Sequence, residues 1–71
     1  MTTIRKIMEA LGINQVETAR ITGKSQAAVS KWVHGHHDMT VSDLQKLHAE
    51  FVRRGIEWRD EFWTIKPDEA A

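Results

Sequence analysis

Gln26, Ala27, Ser30 and Lys31 recur at i, i+1, i+4 and i+5 in a chain of 71 residues. On a helix that spacing puts them on one face, because residues four apart lie one turn above another. His34 continues the face by a further turn. The face is polar, short-armed and mildly basic. Amide, hydroxyl and ammonium groups presented this way suit the reading of base edges in the major groove of duplex DNA. The opposite side carries Val29, Trp32 and Val33 at i, i+3 and i+4, an apolar stripe for a core. Bond-making chemistry is not expected. No Ser/His/Asp ordering, no Gly-rich phosphate loop and no pocket-forming pair of carboxylates can be read from the chain.

Local signals define the elements that must hold this face. Asn14 is a good N-cap, and Gln15 to Thr22 contains no helix breaker. Gly23 can adopt the left-handed conformation that ends a helix without a Cβ penalty. Only Lys24 separates it from Ser25, a second N-cap, so a helix over 26–34 follows a tight turn and closes at Gly35. Ala19 is small enough to let a crossing helix approach.

Two helices so placed contain the run Q-x-x-x-A-x-x-x-G-x-S-x-x-x-V-S-x-W-x-x-G, as Gln15, Ala19, Gly23, Ser25, Val29, Ser30, Trp32 and Gly35. This resembles the helix-turn-helix of the lambda repressor/Cro-like (XRE-type) family of bacterial and phage regulators. The likeness is close over residues 14–35, about a third of the chain, and extends loosely to residue 54. It implies a compact all-α domain of four to five helices that binds double-stranded DNA. It also implies roles for individual residues. Gln26 would bond adenine N6 and N7, Lys31 would reach guanine O6 or N7, Ala27 would meet a thymine methyl, and Ser30 would lie beside them. Gln15, at the positive end of its helix, would bond a phosphate, and Lys24 and Ser25 in the turn would do likewise. The chain departs from the family at Thr18, Thr22 and Lys24, where apolar residues are usual. A buried Thr can bond back to a carbonyl one turn earlier, and Lys can lay its stem on the core.

Length and charge agree with this reading. A chain this short buries only about 60% of its unfolded surface. We expect one domain over 1–66 and a frayed acidic tail over 67–71. With no Cys there is no disulfide and no thiolate metal site. No apolar run approaches the roughly 20 residues of a membrane span, and the N-terminus lacks the apolar core of a signal peptide, so a soluble cytoplasmic protein is expected. The formal net charge is zero but unevenly spread. Residues 1–54 hold eight Lys or Arg against five acids, and residues 55–71 hold two against five. A basic body with an acidic tail suits a nucleic-acid partner.

The flanking segments read as support. Ile4, Ile7, Met8 and Leu11 form an amphipathic stripe, with Thr3 as its cap, Gly12 as its end and Ile13 as a staple. Thr40 to Asp43 is a capping box for a further helix carrying Leu44, Leu47 and Phe51, with His48 on the same side, Arg53 and Arg54 in its last turn and Gly55 after it. Trp58, Phe62 and Ile65 fit a helical stripe, although Glu57, Asp60 and Glu61 would crowd like charges on it. Thr64 to Lys66, before Pro67, is expected to be extended, which makes the C-terminal tail partly extended. So much aromatic area is expected both to seal the core and to meet a second copy, giving a homodimer through Trp58, Phe62 and Trp63. The alternative is the DNA-binding antitoxin of a toxin–antitoxin pair, its Trp-rich tail gripping a protein.

His34, His36 and His37 form H-x-H-H, but without Cys and with only Asp38 beside them they make no familiar metal spacing, and no metal is expected. We assign them to phosphates. Imidazole gains its charge between pH 8 and 5. At fixed salt, DNA affinity should therefore rise as pH falls from about 7.5 to about 6. Equal binding constants at the two pH values would remove the histidines from the interface.

Overall fold

A computed structural model of the chain describes residues 3–63. Expectations for Ile65, for the extended Thr64–Lys66 segment and for the 67–71 tail lie outside the described residues. Among the described residues four α-helices follow one another: α1 Thr3–Leu11, α2 Gln15–Thr22, α3 Gln26–Val33 and α4 Val41–Arg54. A 3-10 turn, Asp60–Phe62, follows α4 among the described residues. The described residues span 27 × 26 × 23 Å.

Each boundary has a local cause. Asn14 Oδ1 accepts from the Glu17 amide at 2.9 Å, and Ser25 Oγ accepts from the Ala28 amide at 3.2 Å. Both are N-caps that satisfy a free donor of the first turn. Gly23 has φ +72°, where any side chain would be strained, and its amide bonds the Ala19 carbonyl. At α4 the capping box is complete. Thr40 Oγ1 accepts from the Asp43 amide at 3.2 Å, and Asp43 Oδ2 accepts from the Thr40 amide at 3.1 Å. Two expectations shift by a residue. Thr3 lies inside α1 rather than ahead of it, and α3 ends at Val33 with His34 as its C-cap.

α2 packs on α3 and α4, while α1 packs on α3 and the 3-10 turn. Ile4, Ile7, Leu11, Ile13, Val29, Trp32, Met39, Leu44, Leu47, Phe51 and Phe62 are buried between them. Ala19, buried on α2, faces the same core. Thr18 and Thr22 are fully buried, and each hydroxyl donates to the carbonyl four residues earlier at 2.8 Å. A hydroxyl satisfied on its own helix leaves only its methyl and Cβ for the neighbours, so α2 packs with threonine where the family uses an apolar residue.

The C-terminal segment corrects the helical stripe. Ile56–Arg59 is not helical, and among the described residues after it only the 3-10 turn Asp60–Phe62 forms. Like charges at Glu57, Asp60 and Glu61 disfavour a longer helix. The extended path also lets Trp58 and Phe62 both reach Phe51, with ring centroids 5.0 and 5.7 Å away. His48 is half-buried with its ring 5.1 Å from that of Trp58, edge to face.

α1 and α4 are tied end to end. Arg54 donates to the last carbonyl of α1, that of Leu11, at 3.3 Å, and also to Glu50 Oε2. Arg53 donates to both Glu50 oxygens. Hydrogen bonds first from Arg53 and then from Arg54 lower the Glu50 pKa to about 2. A carboxyl lowered on folding adds stability that is complete above its unfolded value, about 4.3, and is lost as pH falls through the folded value. Acid titration of unfolding should therefore show a loss between about pH 4.5 and 2 that is smaller in the E50Q variant. Parallel stability curves for the two proteins in that window would exclude this clamp.

Candidate nucleic-acid interface

α3 is held by its apolar side. Val29 is 0% and Trp32 6% exposed, whereas Gln26, Ala27 and Lys31 are exposed and Ser30 is half-buried. This is the consequence of the two-faced pattern: the core takes the stripe and the solvent takes the rest. Arg5 adds an unforeseen brace, donating from Nε to the Val33 carbonyl at the C-terminus of α3 at 3.3 Å. That contact spans 28 residues, so no local pattern announces it.

The turn before α3 and the start of α4 enclose a cleft of about 310 Å³. Lys24, Ser25, Ala27, Lys31 and His37 line it together with Ala28, Trp32, Asp38, Thr40 and Asp43. Five of the ten sequence-assigned positions thus meet in one place. Gln15, half-buried, opens α2 and does not line the cleft. Neither do Gln26 and Ser30, nor His34 and His36. His34 Nδ1 donates to the Ser30 carbonyl at 2.9 Å, which leaves Nε2 as its outward nitrogen. Its ring lies parallel to that of His36, with centroids 6.4 Å apart. The loop folds back on α3 through the His36 amide, which donates to the Lys31 carbonyl at 2.8 Å, and Met39 anchors its far end in the core.

The sequence reading missed Thr40, Asp38 and Asp43 as lining residues. Thr40 and Asp43 read only as a cap, and they are caps as well. Two ammonium groups and His37 face two carboxylates across the cleft, and the positive ends of α3 and α4 lie beside it. Among the described residues no three His, Cys, Asp or Glu side chains are grouped to hold a metal ion. Among them, too, no helix is long and apolar enough to cross a membrane.

The arrangement is a capped helix with a polar, exposed face, set one tight turn after another helix and flanked by cations. Such a helix enters a major groove with the preceding helix lying across the backbone. Comparison with known families agrees: the helix-turn-helix family model (HTH_3) matches residues 4–51. Comparisons with curated proteins and with solved structures each returned no match. The matched span runs from the first buried residue of α1 to Phe51 of α4 and includes the whole exposed face of α3, and the chain belongs to the lambda repressor/Cro-like helix-turn-helix family of DNA-binding regulators.

Proposed function

We propose that the protein is a sequence-specific repressor that binds a pseudo-palindromic operator in double-stranded DNA as a homodimer, in the manner of Cro. The observation that carries this reading is the outward presentation of Gln26, Ala27 and Lys31 on a helix whose Val29 and Trp32 are buried. Gln26 and Lys31 are the base readers, on adenine and guanine respectively, with Ala27 and Ser30 completing the surface. Gln15, Lys24, Ser25 and the loop histidines His34, His36 and His37 bind phosphates and fix the register. By likeness to the family, the mechanism is steric: a bound dimer blocks the polymerase. Such a regulator acts in the cytoplasm.

Trp58 and Trp63, both half-buried, and Val52, 66% exposed on α4, supply apolar surface for a second copy. Phe62 is 2% exposed and belongs to the core, so the expected contact through it gives way to one through the two tryptophans. A two-fold dimer sets its reading helices about 34 Å apart, one turn of DNA. The same tryptophans would suit a protein partner in the antitoxin reading, and co-purification with a second small protein would favour that reading.

Selection from random duplexes should return a two-fold symmetric site whose half-sites lie about one helical turn apart. On that site, log K should fall with log salt at a slope near about −6, for about seven neutralised phosphates. Lys31→Ala should weaken binding by about 1–3 kcal/mol and relax one base position. A uniform loss across all sequences would make Lys31 a phosphate contact instead, and failure to enrich any site would remove sequence-specific binding.

A further inference from the structure

Asp43 does two jobs with its two oxygens. Oδ2 is occupied by the capping box, accepting from the Thr40 amide at 3.1 Å and from Thr40 Oγ1 at 3.0 Å. Oδ1 is buried and has no hydrogen-bond partner among the described residues. It faces Lys24, whose Nζ stands 3.9 Å away. That distance is an ion pair but too long for a hydrogen bond. The two side chains are unlike in freedom: that of Asp43 is 2% exposed and that of Lys24 is 44% exposed. The carboxylate is fixed by its cap and cannot follow the ammonium outward. A lysine leaving it would strand a buried charge, which is unfavourable.

Lys24 is also one of the cations that the DNA reading assigns to the phosphate backbone. We propose that Asp43 is a positioning residue that withholds Lys24 from that backbone, so that the cleft offers one fewer effective cation than its composition suggests. The inference rests on the DNA-binding reading and revises it at one position: Lys24, assigned above to a phosphate, is held by Asp43 instead. The pair lowers sequence-independent attraction to DNA and leaves a larger share of the affinity to base contacts on α3. The other charged groups of the cleft, Lys31, His37 and Asp38, are exposed and screened by solvent and salt, so they do not replace the pair.

The test uses the full chain as wild type, D43N, K24M and the double variant, binding a random-sequence duplex between 50 and 200 mM salt. Asn keeps an oxygen for the Thr40 amide, and circular dichroism checks that each variant is folded. D43N should steepen the log K against log salt slope by about 0.9 per bound subunit. That equals about 3.5-fold extra affinity gained on going from 200 to 50 mM. In the K24M background the same substitution should leave the slope unchanged. An equal steepening with and without Lys24, or none in either, would overturn the proposal.

A second measurement needs no DNA and stands even if D43N does not fold. In the free wild-type protein the Lys24 side chain, held by its ion pair, should show more restricted side-chain motion by nitrogen and carbon relaxation than that of Lys31. Equal mobility of the two side chains overturns the proposal whatever the protein binds. Restricted motion at Lys24 in a chain that ignores all duplex DNA overturns the DNA-binding reading and the proposal with it.

Discussion

The direction in which α3 faces depends on a reversal of the chain at Gly23. A backbone with φ +72° ends α2, and Lys24 alone intervenes before Ser25 caps α3. Two helix ends are satisfied back to back, one by a left-handed glycine and one by a serine hydroxyl. With so short a connection α3 has little choice of angle against α2. Its apolar stripe must then meet the core, because Val29 and Trp32 have nowhere else to be dry. The polar face is outward by subtraction. Buried Thr18 and Thr22 fit this junction because their hydroxyls stay on α2 itself and ask nothing of α3.

Around that junction the rest of the chain supplies what a small core lacks. α4 crosses beneath α2, and its far end is pinned to α1 by Arg54 on the Leu11 carbonyl. Phe51 and Phe62 close the bottom, with Trp58 edge to face against both at 5.0 and 5.2 Å. Interlocked rings contribute more than their area alone, since edge-to-face pairs add electrostatic attraction. A domain of this length needs such additions, because its apolar burial only narrowly exceeds the entropy of ordering the chain. The same rings remain half-exposed at Trp58 and Trp63, so the surface that completes the core is also the one available to a partner.

Function follows from pairing a fixed face with a charged surround. Phosphate contacts provide attraction and register, and side chains on the reading helix provide discrimination. In the reading proposed above the two would be physically adjacent: Lys24 and Ser25 in the turn share a cleft with Ala27 and Lys31 of α3. The buried carboxylate of Asp43 in that cleft couples the cap of α4 to the charge on the turn. A net charge of zero is therefore compatible with nucleic-acid binding, because location rather than total sets the local potential.

The sequence by itself determined the four helices of the described residues, most of their caps and the two-faced character of α3, because each depends on neighbours within about one turn. Asn14, Gly23, Ser25, Thr40 and Gly55 act through bonds spanning three or four residues, and Ile4, Ile7, Leu44, Leu47 and Phe51 through a 3.6-residue period. Of the assigned residues on α3, Gln26, Ala27 and Lys31 are exposed for the same local reason. Only the tertiary structure decided what lies across from them. Arg5 reaches Val33, Arg54 reaches Leu11 and Asp43 faces Lys24, over separations with no periodic signature. The path of the chain after Gly55 was likewise decided by packing. Phe51 on α4 recruits Trp58 and Phe62 at the expense of the helix their spacing suggested, since burying rings outweighs a weak and like-charged helical preference.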